Sequence, residues 1–128
     1  MLVKAGMFTI PGRLDGLNDY TAANRRNPYA GSSMKVKNEK IVKFAIRQSK
    51  LNRVSKYPVR LKINWYEKNA RRDVDNIIFG QKFILDALVK EGILENDSQK
   101  YVKAITHEVA VDKSNPRIEV EIWNEVGI

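Results

Sequence analysis

A chain of 128 residues with 43% hydrophobic and 30% charged residues has the composition of an ordinary globular protein, with room for one domain. It contains no cysteine, which excludes disulfides and thiolate zinc sites and is compatible with the reducing cytoplasm in which we expect it. No apolar run approaches the roughly 18 residues of a membrane span, and the N-terminus lacks the apolar core of a signal peptide, so we expect neither.

The charge is unevenly distributed along the chain. The net charge is +8, which favours a polyanion as partner. Residues 1–62 carry 14 Lys and Arg against 3 Asp and Glu, whereas residues 63–128 carry 9 against 12. A basic half joined to an acidic half is typical of a nucleic-acid enzyme whose metal is held by carboxylates. A solvated basic surface without a specific ligand would explain the charge equally well.

The first half of the chain predicts a strand and a helix. A short strand is predicted for residues 3–10, and residues 12–33 are polar and turn-rich, which indicates a long irregular loop. Residues 34–51 predict a helix, with Phe44 on its apolar face. The basic residues of this helix recur at spacings of three or four and form one stripe: Lys40, Lys43, Arg47 and Lys50.

The second half predicts three strands and one helix. Residues 59–66 alternate between apolar and polar and predict a strand, and residues 77–90 predict a second helix. Residues 101–111 and 117–123 alternate as well and are joined by a turn, which indicates an antiparallel hairpin. The expected fold is a single two-layer α/β (α+β) domain over residues 1–128, with a mixed sheet of about four strands, two main helices and the order β-α-β-α-β-β.

Two acidic residues stand between the second strand and the second helix. Asp73 and Asp75 share one side of the chain if the backbone is extended, which the position between strand and helix favours. Paired carboxylates repel unless a cation lies between them, and Mg²⁺ prefers oxygen ligands of this type. The alternative is that Asp75 or Asn76 caps the following helix and Asp73 interacts with the helix dipole.

Other polar residues receive a structural interpretation from the pattern alone. Asp97 follows the second helix and by itself predicts a turn; for it to approach Asp75 the chain must fold back along that helix. His107 lies within an alternating strand, and we expect it to be structural. The same expectation holds for Asp86, Trp65 and Trp123.

Taken together, the motifs resemble the RusA family of Holliday junction resolvases. The resemblance covers most of the chain and includes the first strand, the basic helix and the closing hairpin. It depends on an ordered set of short motifs: Asn18 and Tyr20, Arg-Asp-Val-Asp-Asn at residues 72–76, Gln81-Lys82-Phe83, Asp86-Ala87-Leu88, Gly92, and Asn96-Asp97.

The resemblance implies a metal-dependent endodeoxyribonuclease with three catalytic aspartates, here Asp73, Asp75 and Asp97, which would hold Mg²⁺ or Mn²⁺. A family lysine matches Lys82 and would offset negative charge in the transition state. The shorter family members place this lysine four residues after the second aspartate, whereas here the separation is seven. We expect the additional residues within Ile77–Gly80 to form a loop, because Gly80 weakens a helix at that point.

Resemblance also implies a homodimer that binds branched DNA and leaves 5′-phosphate and 3′-hydroxyl ends. The residues predicted to contact DNA are basic: Arg71, Arg72, Lys40, Lys43, Arg47, Lys50, Arg25 and Arg26. Each of these side chains has a solvated surface as its alternative. Two other functions remain open, namely a protein of the same fold that binds branched or single-stranded nucleic acid without cutting it, and a nuclease that acts on flaps or forks.

Overall fold

The structure, a computed structural model, describes residues 1–126. This part of the chain forms four strands and four helices, in the order β1 (Leu2–Pro11), α1 (Leu17–Arg26), α2 (Ala30–Ser49), β2 (Val59–Glu67), α3 (Val74–Ile78), α4 (Gln81–Lys90), β3 (Val102–Val111) and β4 (Arg117–Glu125). None of the helices in this part is long and apolar enough to cross a membrane. The predicted α+β class and the broad order of elements are confirmed.

The four strands form one mixed sheet in the order β1-β4-β2-β3. Strand β4 is antiparallel to both β1 and β2, whereas β2 and β3 are parallel. The predicted hairpin of the last two strands is therefore wrong, because β2 lies between them. A parallel pair requires a crossover connection, which α3 and α4 supply, and this arrangement lets β2 form hydrogen bonds along both edges.

Alternation along the strands builds one core on one face of the sheet. The helices α2 and α4 pack together, and α2 also packs on β1. The largest fully buried side chains of the strands come from every second position: Ile10, Leu61, Ile63, Trp65, Ile118 and Ile122. Strand β2 is the most completely buried of the four strands.

The segment predicted as an irregular loop contains α1 and the start of α2. Helix α1 buries only Ala23, so it lacks the apolar periodicity that predicts a helix. Its start is stabilised locally, because the Asp19 carboxylate accepts a hydrogen bond from the Gly16 backbone N–H at 2.9 Å. A polar helix of this kind can be recognised only from its contacts with the rest of the fold.

The buried face of α2 differs from the predicted one. Phe44 is 64% exposed, whereas Asn38 and Glu39 are buried. The Asn38 amide donates to Asp15 at 2.8 Å, and Glu39 forms an ion pair with Lys90 of α4. Polar side chains can occupy a core position when they are paired in this way. The buried face of α2 therefore includes Asn38 and Glu39 and leaves Phe44 outside it.

The second predicted helix is divided into α3 and α4 by a break at Phe79 and Gly80. Both residues keep right-handed helical dihedrals, so the additional residues form a short helix instead of the expected loop. A Cβ at Gly80 would lie 3.2 Å from the Trp65 ring, a tight contact that would require the ring to shift.

Candidate functional site

A cavity of about 400 Å³ lies beside the start of α4. After α4 ends at Lys90, the chain turns and returns along that helix before β3 begins. Asp97, on the returning segment, therefore lines the cavity opposite α4. The full lining consists of Phe79, Gln81, Lys82, Leu85, Asp86, Asp97 and Ile105. The fold-back that a role for Asp97 requires is thus present.

Asp73 and Asp75 lie at the start of α3. Asp73 has an extended backbone at the N-cap position, but its side chain makes no capping hydrogen bond. Asp75 is in the first helical turn, so the prediction that both residues are extended is wrong for Asp75. Its carboxylate accepts a hydrogen bond from the Asn76 backbone N–H at 3.0 Å. Both aspartates are exposed, and neither forms a salt bridge with a residue in the described range.

Asn76 connects this acidic segment to α1. Its side-chain oxygen accepts a hydrogen bond from the Asn18 backbone N–H at 2.9 Å, and a Cβ on Gly16 would collide with the Asn76 side chain. Tyr20 of α1 then packs on Phe79, with ring centroids 5.2 Å apart. Because Phe79 lines the cavity, the motif residues that follow β1 contact both the acidic segment and the cavity wall.

The three predicted metal ligands do not form one cluster. Within residues 1–126, no group of three or more Asp, Glu, His or Cys side chains is arranged to hold a metal ion. Asp97 lines the cavity, whereas Asp73 and Asp75 do not. The chemistry of the donors fits a hard divalent cation, since all three are carboxylates. Their placement does not fit one, because within residues 1–126 the three side chains do not form a group that could hold a metal ion.

Lys82 lines the cavity together with Asp86 and Asp97. Asp86 follows Lys82 by one helical turn, and its carboxylate forms an ion pair with Lys35 of α2 at 3.5 Å. The family lysine thus lines the same cavity as Asp97, one of the three predicted catalytic aspartates. The structure also gives Asp86, which was expected to be structural, a position on the cavity wall.

The two neighbouring arginines at the acidic segment have different surroundings. Arg71 is exposed. Arg72 has a side chain only 12% exposed, and its guanidinium donates to both carboxylate oxygens of Glu67 at 2.8 and 2.9 Å and to the Leu14 carbonyl oxygen at 3.1 Å. These bonds give Arg72 an internal role, whereas its DNA contact stays a prediction. Sequence reasoning missed Glu67, because nothing in its spacing marks it as the partner of Arg72.

Only some residues of the predicted basic stripe are exposed and free of ion pairs within the described chain. Lys40 and Lys50 are exposed, whereas the Arg47 guanidinium donates to both oxygens of Glu91 at 2.6 and 2.9 Å. The hydrogen bond from Arg47 lowers the pKa of Glu91, so the pair remains ionised. Lys43 is half-buried and adds to the positive charge near Glu91.

Two further arginines predicted to bind DNA lie on α1. Arg25 and Arg26 occupy the last turn of this helix and are exposed, which places them on a helix instead of the predicted mobile loop. Cations in the last helical turn interact favourably with the helix dipole. Arg25 and Arg26 can therefore stabilise the end of α1, and their side chains are also accessible to an external anion.

A chain of hydrogen bonds connects the core to the cavity wall. The Trp65 indole N–H donates to His107 Nδ1 at 3.0 Å, and His107 Nε2 lies 3.1 Å from Gln81 Oε1. Burial lowers the pKa of His107. The structural interpretation of His107 agrees with these contacts, but the connection to Gln81 at the cavity could not be read from sequence spacing.

The fold and the site together define a small, basic α+β protein with a cavity lined by carboxylates and a lysine. The family model described as Endodeoxyribonuclease RusA matches residues 18–123 of the chain. Since this match covers most of the sequence, the chain belongs to the RusA endodeoxyribonuclease family. A comparison with curated proteins gave no significant match.

Proposed function

We propose that this protein is a divalent-cation-dependent endodeoxyribonuclease that resolves four-way DNA junctions by paired phosphodiester cleavage. The observation that carries the proposal is the family match over residues 18–123, which includes every residue of the proposed catalytic set. The position of Asp97 and Lys82 on one cavity supports it, because these two residues come from separate motifs. Resolution of such junctions belongs to recombination and repair.

The proposed cation ligands are Asp73, Asp75 and Asp97, with Mg²⁺ as the expected ion and Mn²⁺ as a substitute. A bound divalent cation would supply Lewis-acid activation of the phosphate and of an attacking water. Lys82 would neutralise negative charge on the phosphate oxygens as the bond breaks. The carboxylates must approach one another when the cation and the DNA bind, and the absence of ion pairs at Asp73 and Asp75 within residues 1–126 leaves both side chains free to do so.

Affinity for DNA would come from exposed basic side chains. Arg71 is exposed next to the acidic segment and would contact the phosphates nearest the cleaved bond. Contacts further away would come from the exposed basic residues of α1, of α2 and of the C-cap of α2: Arg25, Arg26, Lys40 and Lys50. Phosphate contacts of this kind position the DNA but carry little sequence information.

We further propose that the chain forms one nuclease domain and acts as a homodimer. A four-way junction has approximate two-fold symmetry, and resolution requires two matched cuts. Two identical active sites related by a two-fold axis therefore suit this substrate. Sedimentation of the free protein and of its junction complex would measure the proposed stoichiometry of two chains per junction.

A cleavage assay on defined DNA structures tests the proposed activity. A synthetic four-way junction, labelled on each strand in turn, would be incubated with the protein in Mg²⁺, in Mn²⁺ and in excess chelator. We expect symmetrically paired nicks with either cation and none with chelator. A fork and a flap of matched sequence determine whether cleavage is restricted to junctions.

The main alternative is a protein that binds branched DNA without cutting it. The altered spacing between Asp75 and Lys82 is the feature that favours this alternative. Tight junction binding without nicks in either cation would establish binding as the function. Rapid cleavage of flaps or forks with slow cleavage of the junction would assign the same chemistry to a different substrate.

A further inference from the structure

The orientation of the Gln81 amide is determined by the residues behind it. An indole N–H can only donate a hydrogen bond, so His107 Nδ1, which lies 3.0 Å from the Trp65 nitrogen, must be the acceptor. Trp65 is 1% exposed, and its N–H has His107 as its partner in the described chain. Losing this bond would leave a buried donor unpaired, which is costly.

The proton of the neutral His107 ring is therefore on Nε2. This nitrogen lies 3.1 Å from Gln81 Oε1, so the imidazole donates and the amide oxygen accepts. The burial of His107, which lowers its pKa, favours the neutral ring. The three side chains form a directed chain from Trp65 through His107 to Gln81, in which each donor faces an acceptor.

The amide nitrogen of Gln81 is left as the outward group. Among the described residues it has no hydrogen-bond partner, and no buried side-chain nitrogen or oxygen in that part of the chain lacks one. The Gln81 nitrogen must therefore be accessible to solvent. Gln81 lines the same cavity as Lys82, so its two N–H donors and the lysine belong to one site.

We propose that Gln81 is a substrate-binding residue that donates hydrogen bonds to a phosphate oxygen of DNA in this cavity, and that His107 is the positioning residue that fixes the direction of these donors. An anionic oxygen fits because Lys82 supplies positive charge next to a neutral double donor. Of the two carboxylates that line the cavity, Asp86 is offset by its ion pair with Lys35, which leaves Asp97 as the one that repels the phosphate in the absence of a cation. The identity of the phosphate as DNA follows from the proposed function.

The first test is the direction of the hydrogen bonds in the free protein. Nitrogen-15 spectra of the imidazole distinguish the two neutral tautomers, and His107 is the only histidine in the sequence. We expect the Nε2–H form near neutral pH. An Nδ1–H form would reverse the Gln81 amide and overturn the proposal.

The second test is ligand contact. The side-chain NH₂ signals of Gln81 would be followed in nitrogen-15 spectra while inorganic phosphate, and separately a four-way junction without divalent cation, is added. A shift of these signals with either probe supports an oxyanion site at Gln81. Signals that remain unmoved with both probes would exclude it.

The third test uses Gln81→Glu, which keeps an oxygen acceptor for His107 but removes both N–H donors and adds negative charge. We expect junction cleavage at saturating protein to be slowed by about 10-fold or more, with thermal stability near that of the wild type. The control variant Gln48→Glu adds the same charge at an exposed position of α2 and should cut normally.

The outcomes separate this inference from the proposed function. If Gln81→Glu cuts and binds like the wild type, Gln81 is not a ligand, although the protein remains a resolvase. If wild-type protein fails to cut any branched DNA but its Gln81 signals shift with inorganic phosphate, the nuclease proposal fails and the oxyanion site stands.

Discussion

Asp97 and Lys82 line the same cavity, although the whole of α4 and a reversing turn separate them along the chain. The segment after α4 returns beside that helix before β3 begins, so a carboxylate on a turn lies opposite a lysine in the first helical turn. This pair is the part of the proposed catalytic set that the fold assembles without any ligand.

Removal of a proposed cation ligand should separate DNA binding from cleavage. We expect Asp75→Asn and Asp97→Asn to reduce the cleavage rate at least about 10²-fold, because each removes a carboxylate from a set that acts together. Junction affinity should stay near the wild-type value or increase, since the substitution removes negative charge near the phosphates. The double variant should cut no more slowly than the slower single variant.

Direct cation binding provides a readout that does not depend on cleavage. The binding of Mn²⁺ in the presence of uncleaved junction can be followed by electron paramagnetic resonance. Binding should weaken in Asp75→Asn and in Asp97→Asn. Normal cutting and normal Mn²⁺ binding by Asp75→Asn would show that this residue serves the start of α3 and that the active site lies elsewhere.

Lys82→Ala should reduce catalysis more than binding. Lys82 lines the same cavity as Asp97, where its ammonium can offset charge that develops on the phosphate. We expect the single-turnover rate at saturating protein to fall by about 10-fold or more, with a much smaller change in affinity. The control is Lys37→Ala, at an exposed position of α2 where the lysine pairs with Asp15 outside the cavity. Weaker binding with an unchanged saturated rate would make Lys82 a simple DNA contact.

Arg71 and Arg72 should behave oppositely despite being neighbours. Arg72→Ala leaves Glu67, whose side chain is 5% exposed, buried without its cation, which typically costs about 3–5 kcal/mol of unfolding free energy. Arg71→Ala should leave stability within about 0.5 kcal/mol of the wild type and weaken junction binding. Chemical denaturation and binding titrations measure the two effects. Equal stability of both variants would contradict the structural role of Arg72.

Salt dependence should distinguish free from paired cations on α2. Replacing Lys40 and Lys50 together by Gln should lower the log–log salt slope of junction binding by up to about 0.9 for each phosphate that is no longer neutralised. Arg47→Gln should change the slope less, because Glu91 already neutralises this guanidinium. A slope that is insensitive to the double change would mean that the exposed face of α2 points away from DNA.

The stability of the protein should decrease as the pH falls through about 6.5, the ordinary pKa of histidine. Burial lowers the pKa of His107 in the folded state, so below 6.5 the unfolded chain binds more protons and folding becomes less favourable. Melting temperatures at pH 7.5 and 5.5 measure the effect. Because His107 is the only histidine in the sequence, His107→Gln should reduce the difference in melting temperature between these two pH values.

The sequence by itself determined the element types and the family motifs. The alternation along β2 and the apolar pattern of α4 are local properties, and the Asp-Val-Asp-Asn segment is recognisable by its neighbours. These features predicted an α+β fold, a mixed sheet and the candidate residues. The polar helix α1 escaped prediction because it buries a single residue and therefore has little local signal.

Only the tertiary structure decided which faces and partners these elements use. Strand β3 pairs with β2 because the helices form a crossover, and Phe44 is exposed because Asn38 and Glu39 find buried partners instead. Arg72 is bound to Glu67, and the Gln81 amide takes its direction from the core. Periodicity along the chain shows which positions are apolar. The hydrogen bonds and ion pairs between distant residues depend instead on which polar groups meet when the core forms. The spacing of residues along the chain does not contain that information.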